Sequence, residues 1–307
     1  MQFQVIALLA IASTTLAGAP HEVSFRQLGK FFPEISMILE FFGNSSDIAA
    51  WLNNDPQATV FLATNDAFSQ KYYTKLPLDD KALVKASLQY CIIPKVLTSA
   101  ELSAAAPTFL NTALTDKGYS LTSNGTVIKV AKDGDKLYIE TGVGDRENIT
   151  TTDVAFRGGI VHILDRLPNR LVLLDETAGA INLTSLANIA TVGAPETNLS
   201  ATADITIFAP SNEALARYQH QIGSVVIPES VWANHVVNNS VLYSTKIETG
   251  VVRALGGRDI SLSKDTEGKI KVNDASVVKE DVLVMNGVVH IIDSVLADPP
   301  VATPETS

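Results

Sequence analysis

The chain has 307 residues, 46% of them hydrophobic and 18% charged, a length that suits about two domains, each able to bury a core of its own. A net charge of -10, with an isoelectric point near 5.0, sets the protein against phosphate backbones and anionic lipid surfaces and excludes nucleic acid as an expected partner. Its one cysteine, Cys91, excludes an intrachain disulfide, so the fold must be held by packing.

The first segment with a readable signal is the apolar stretch Val5 to Ala12, followed by Thr15-Leu16-Ala17-Gly18-Ala19. An apolar region followed by small residues predicts a secretory signal peptide over residues 1–19, cleaved near Ala17 to Ala19, although the usual basic start is missing. The apolar run is too short to span a bilayer. Next, Ile35, Ile38, Leu39 and Phe42 recur at helical spacing. They lead to Thr59-Val60-Phe61-Leu62-Ala63-Thr64-Asn65-Asp66, which reads as a buried strand running into a helix. Thr64 is the expected cap, and Asp66 favours the positive end of the helix dipole.

Lys81 to Ile93 predicts a further helix, in which Cys91 lies among Leu88, Ile92 and Ile93 and reads as a buried structural thiol. Short β-prone runs follow at Ser120 to Thr122, Thr126 to Val130 and Lys136 to Glu140, punctuated by Asn124-Gly125 and Asp133-Gly134. The run Gly159-Ile160-Val161-His162-Ile163-Leu164-Asp165 closes this part of the chain.

The same order then repeats. Leu183, Leu186, Ala187 and Ala190 take helical spacing; Thr206-Ile207-Phe208-Ala209-Pro210-Ser211-Asn212-Glu213 answers the opening phrase; Pro228 to Val237 predicts a helix. Asp259 to Leu262 and Lys269 to Val272 predict strands around Glu267-Gly268, and Gly287-Val288-Val289-His290-Ile291-Ile292-Asp293 closes the copy. A period of about 130 to 150 residues is domain-sized, so the chain reads as a tandem duplication of an α+β domain. The expected organisation is 1–19 leader, 20–168 first domain, 169–298 second domain and 299–307 tail. That tail is rich in Pro and Thr and lacks the apolar end of a lipid-anchor signal, and no transmembrane segment is expected.

Asn44, Asn124, Asn148, Asn182, Asn198 and Asn238 each stand in an Asn-x-Ser or Asn-x-Thr acceptor triplet without proline. Together with the leader they point to an N-glycosylated, secreted or cell-surface protein, with a vacuole-like compartment as the alternative.

The phrases at 206–214 and 286–293 resemble the two signature boxes of the fasciclin-like (FAS1) domain, and both copies carry both boxes in the same order. The resemblance implies two tandem FAS1-like domains, each a β-sandwich wedge with a cluster of helices, in a protein of adhesion or matrix type. In that family a Tyr-His pair is associated with adhesion; here Tyr90-Cys91 keeps the tyrosine and Asn234-His235 the histidine. A second adhesion-linked element, an Asp followed by an aliphatic residue, is matched by Asp153-Val154 and Asp281-Val282. Tyr90, His235, Asp153, Val154, Asp281 and Val282 are therefore the adhesion candidates, and Asp281, with no acceptor triplet near it, is the preferred one.

Catalysis is not expected. His162 and His290 are each followed three residues later by Asp165 or Asp293, but strand alternation puts the histidine and that aspartate on opposite faces. No nucleophile elbow, zinc helix or phosphate-binding loop occurs, and the five histidines are scattered. No catalytic, cofactor-binding or metal-binding residue is assigned, and no cofactor. The expected function is non-catalytic binding of a cell-surface or matrix protein or polysaccharide, with homophilic association possible. Ligand binding or trafficking inside the secretory system is the alternative, and an uncharacterised hydrolase stands below it.

Overall fold

The computed structural model describes residues 23–69, 79–104, 106–192 and 199–297. The predicted leader and the tail lie outside the described residues. The chain divides into two compact units with the main break between Arg170 and Leu171.

In the first unit, helices α1 (Ser36–Gly43) and α2 (Ser46–Leu52) precede strand β1 (Ala58–Ala63). A helical segment begins at residue 65, and α3 (Lys81–Tyr90), β2 (Ile92–Ile93) and α4 (Ser99–Leu102) follow. Strands β3 (Thr108–Asn111), β4 (Val127–Asp133), β5 (Lys136–Glu140), β6 (Arg146–Phe156) and β7 (Gly159–Leu164) complete it. The sheet has seven strands in the order β2-β1-β7-β6-β5-β4-β3. Only β1 and β7 run parallel, in the register Phe61 opposite His162. The long β6 begins paired to β5 and ends paired to β7, so one strand belongs to both halves of the sheet.

The second unit repeats the plan: α5 (Leu174–Ala180), α6 (Thr184–Ala190), β8 (Ile205–Pro210), α7 (Asn212–Ile222), α8 (Glu229–Ala233) and β9 (Val236–Val237). Strands β10 (Gly250–Arg253), β11 (Asp259–Lys264), β12 (Ile270–Val272), β13 (Ala275–Val284) and β14 (Gly287–Ile292) follow. Its seven-stranded order, β10-β11-β12-β13-β14-β8-β9, is that of the first unit written in reverse, and β8 and β14 are again parallel, Phe208 opposite His290.

Burial explains why the opening and closing phrases recur. Every residue of β1, β7 and β8 is buried, as a parallel pair covered on both faces requires. In the first unit the helices bring Ile35, Ile38, Leu39 and Phe42 onto Val60, Leu62, Val161 and Ile163; in the second, Leu186 and Ile189 meet Ile207, Ala209 and Val289. The glycine that opens each closing strand is demanded by its neighbour. A Cβ on Gly159 would lie 2.4 Å from the Ala58 carbonyl oxygen, and one on Gly287 would lie 1.8 Å from that of Ile205.

Three local expectations are corrected. Lys81 to Ile93 and Pro228 to Val237 are not continuous helices: the chain leaves each helix at Tyr90 or Ala233 and pairs Ile92-Ile93 or Val236-Val237 with β1 or β8. The switch is fixed by the Cys91 and His235 carbonyls, which accept from the Phe61 and Phe208 N–H groups, both at 2.9 Å. Ser120 to Thr122 is not a strand, because the preceding residues turn around Asp116, whose side chain accepts from Gly118 N–H at 2.8 Å. The Asp133-Gly134 hairpin joins β4 to β5, with Asp133 opposite Lys136.

Candidate functional site

In each unit the repeated residues converge on one loop, residues 95–99 in the first and 240–244 in the second. Thr59, at the start of the opening phrase, donates its hydroxyl to the Lys95 carbonyl at 2.8 Å and accepts from Leu97 N–H at 2.8 Å. Thr206 does the same to Ser240 and Leu242, at 2.7 and 2.8 Å. The next link comes from the closing phrase: His162 Nε2 lies 3.0 Å from the Leu97 carbonyl, and His290 Nε2 lies 2.8 Å from that of Leu242.

The histidine in turn holds the Asp-aliphatic step. Asp153 N–H donates to His162 Nδ1 at 3.4 Å, and Asp281 N–H to His290 Nδ1 at 3.3 Å. Because Nδ1 accepts, the ring proton must sit on Nε2 and point at the loop carbonyl. Both aspartates occupy the left-handed region, at φ of 59° and 58°, where β6 and β13 slip register. These are β-bulges, and the bulge turns the carboxylate towards the loop. Asp281 Oδ1 accepts from Ser244 N–H at 2.8 Å and Oδ2 from the Ser244 hydroxyl at 2.6 Å. Asp153 receives Ser99 in the same way, its Oδ1 accepting from Ser99 N–H at 2.8 Å and its Oδ2 from the hydroxyl.

Each unit therefore has a threonine, histidine, aspartate and serine forming one clamp around one loop. The neutral imidazole is imposed by its surroundings. His162 and His290 are fully buried, and burial lowers the His162 pKa below the ordinary histidine value. Phe61 lies 5.6 Å from the His162 ring, and Phe208 stacks on His290 at 5.6 Å and 24°. Burial, with the Asp281 charge as the second cause, pushes the Tyr243 phenol well above its usual range.

The adhesion candidates are mostly interior groups. Tyr90 is fully buried and donates its hydroxyl to the Val127 carbonyl at 3.1 Å. His235 is fully buried, accepts from Leu296 N–H at 2.9 Å and meets the Val231 carbonyl at 2.9 Å. Burial brings its pKa down to about 4. Asp281 is 2% exposed, Val154 and Val282 are buried, and Asp153 is half-buried. Direct contact through Asp281 does not fit this placement, since its carboxylate faces Ser244 in the interior. What these residues give the surface is the shape of the loop they hold.

Asp165 and Asp293 do not approach the histidines. They cap the neighbouring strand instead: Asp165 accepts from Asn148 N–H at 2.8 Å, and Asp293 from Ser276 N–H at 2.8 Å. Among the acceptor asparagines, Asn44, Asn124 and Asn182 are exposed, Asn148 and Asn238 are half-buried, and Asn198 lies outside the described residues. Asn148 Nδ2, the atom a glycan would take, donates to Asp165 at 2.7 Å.

Sequence reasoning missed Thr59 and Thr206, Ser99 and Ser244, and a second clasp built on Asn65 and Asn212. The Asn65 side chain accepts from Met37 N–H at 2.9 Å and donates to the Pro33 carbonyl at 2.8 Å. Asn212 accepts from Thr184 N–H at 3.0 Å and donates to the Asn182 carbonyl at 2.8 Å. Each amide thus ties the start of the following helix to the start of α1 or α6. Recurrence at one position of both opening phrases was the available signal. The expected cap Thr64 accepts from Ala67 N–H at 3.4 Å, and Ser211, at the same place in the second phrase, accepts from Ala214 N–H at 3.1 Å.

Among the described residues, no group of three or more His, Cys, Asp or Glu side chains is placed to hold a metal ion, and no helix is long and apolar enough to cross a membrane. Cys91 is buried, its thiol against the Ser87 carbonyl at 3.4 Å.

Comparison with known proteins gives matches across both units. The Fasciclin domain matches residues 34–167 and 182–298. A fasciclin-like arabinogalactan protein of Arthroderma benhamiae is 26% identical over 271 residues, covering 86% of this chain and 64% of that protein. The fasciclin-like arabinogalactan protein CTB11 of Cercospora beticola is 27% identical over 253 residues, covering 78% of this chain and 67% of that protein. Human periostin is 28% identical over 146 residues, 45% of this chain and 17% of periostin. The chain thus spans about two thirds of the length of the first two relatives. Among solved structures, a FAS1 domain pair from the insect cell adhesion molecule fasciclin I aligns over 86% of this chain and 97% of that chain, at 16% identity and a TM-score of 0.41.

Proposed function

The chain belongs to the fasciclin family, as two tandem FAS1 domains, and on that premise we propose that it is a secreted adhesion protein that binds a matrix or cell-wall component without catalysis. The observation that carries this reading is the use made of the chemically capable residues. His162, His290 and His235 are buried and neutral with both ring nitrogens engaged, and Asp281 is spent on a loop. Groups committed in this way build a scaffold, and binding falls to the surfaces that the scaffold displays.

On this reading removal of the 1–19 leader releases two units, 20–168 and 169–298, followed by the 299–307 tail, with glycans on exposed sites such as Asn44, Asn124 and Asn182. Relatives named as arabinogalactan proteins and periostin support a wall or matrix setting.

Two units carrying the same loop allow avidity: once one is engaged, the second binds at high effective concentration. Retention of the purified protein on isolated wall or matrix material is the test. The second unit produced alone should be retained at least about tenfold more weakly than the pair. Equal retention removes avidity, and no retention of the pair removes the adhesion reading.

A further inference from the structure

The clamp is duplicated, but the polar residues along one groove of the first unit are not. Between α1, α2 and α3 runs a groove made of two adjoining hollows of about 640 and 270 Å³ that share Asp47 and Lys85. The larger is floored by Met37, Phe41, Phe68 and Val84, with the Phe41 and Phe68 rings 5.3 Å apart. The smaller is flanked by Trp51 and Gln89. Cys91 and His235 hold equivalent places, since each carbonyl accepts from the phenylalanine of its opening strand. Counting back from them, Glu229 and Ala233 stand in the second unit where Lys85 and Gln89 stand in the first.

We propose that this groove is a saccharide site, which takes a neutral β-linked hexose chain of a wall or matrix polysaccharide. The inference rests on the adhesion reading above and names the ligand class for one surface. Trp51 is 37% exposed, an unusual placement for an indole, and lies beside a carboxylate, an ammonium and an amide. A pyranose with equatorial hydroxyls matches that set: its flat C–H face packs on an aromatic ring, and its rim hydroxyls both donate and accept. Asp47 and Gln89 supply acceptors, Lys85 and Gln89 donors.

Charge separates this occupant from others. Lys81 and Lys85 are offset by Glu40 and Asp47 along the groove, so it is locally neutral on a chain of net charge -10, and an anionic polysaccharide gains nothing there. The Lys85–Asp47 ion pair crosses the middle, and an apolar peptide or lipid would have to bury it at a cost that hydroxyls avoid. The combined volume lies in the range of small-ligand sites.

The test is isothermal titration calorimetry of the protein and its variants with laminarihexaose, and with cellohexaose in parallel, the tryptophan fluorescence of the parent being followed alongside. The chain has two tryptophans, and Trp232 is only 6% exposed, so a ligand-induced change reports Trp51. Saturable binding is expected, with affinity lowered about tenfold or more in Trp51→Ala, partly restored in Trp51→Phe, and lowered in the Lys85→Ala, Gln89→Ala double variant, all at unchanged melting temperature. No saturable response to either hexaose, or undiminished binding by Trp51→Ala, overturns the proposal. Binding that occurs only in Asn44→Gln also overturns it, because the groove would then hold the chain's own glycan. Retention on wall or matrix material, measured alongside, keeps the two readings apart. If Trp51→Ala binds the hexaoses as the parent does while retention persists, the groove assignment fails and adhesion stands; if the parent itself is not retained, adhesion fails.

Discussion

The backbone N–H of Asp281 donates to Nδ1 of His290 at 3.3 Å, and the same bond joins Asp153 to His162 in the other unit. Through it, the residue that looks most like an adhesive contact and the one that looks most like a catalyst become two parts of one support. The imidazole reads the bulge on one side and the loop carbonyl on the other, and the aspartate carboxylate closes the circuit on the loop serine.

Breaking this circuit should loosen one loop before it unfolds a unit. In Asp153→Ala the half-buried Ser99 N–H loses its acceptor, and loss of a hydrogen bond to a charged group costs about 1.5–3 kcal/mol. Hydrogen exchange at Ser99 should accelerate by about one to two orders of magnitude, while amides of β8 and β14 in the second unit keep their protection. Uniform acceleration in both units would contradict a local clamp.

Acid should weaken the fold before the carboxylates titrate. His235 is held at about 4 by burial and His162 is also lowered, whereas in the unfolded chain both protonate near 6.5. The unfolded state therefore binds more protons as pH falls through this window, so stability present above 6.5 is progressively lost towards 4. For His235 alone the loss is about 3 kcal/mol. Urea midpoints measured at pH 7, 5.5 and 4.5 should fall in that order, and the His235 ring resonances should show no inflection near 6.5.

The glycines of the closing strands should be the least replaceable residues of their type. Gly287→Ala places a Cβ 1.8 Å from a strand carbonyl and should prevent the second unit from folding. Gly43→Ala meets nothing within 4 Å and should leave stability unchanged or raise it by up to about 1 kcal/mol. Circular dichroism and melting temperatures of the two variants check the contrast.

Much of this was legible in the chain because both copies say it. The buried strands, the caps at Thr64 and Ser211, and the paired signature phrases follow from local pattern and recurrence. The clamp did not follow, because its bonds join residues far apart in sequence: Thr59 with Leu97, and Ser99 with Asp153. The short strands after α3 and α8 were read as helix because helical spacing persists through Ile92 and Val237, and only pairing with the central strand overrides it. The burial of Tyr90 and His235 is likewise a tertiary fact, invisible in a pair of polar residues at a helix end.

Asn65 and Asn212 offer a separate check. Replacing either by Ala removes both bonds of a helix-to-helix clasp and should cost its unit about 1–2 kcal/mol. Because the two residues sit in different units, the double variant should show the sum of the single losses within about 0.5 kcal/mol. A large coupling between them, read from urea unfolding followed by unit-specific probes, would contradict independent clasps.

The most direct measurement concerns Asp281→Asn, which keeps the shape of the side chain and removes its charge. Melting temperature and retention on isolated wall or matrix material should be determined on the same preparation. A supporting role predicts a stability loss of about 1–3 kcal/mol with retention per folded molecule unchanged. Loss of retention at unchanged stability would make Asp281 a contact and contradict the clamp.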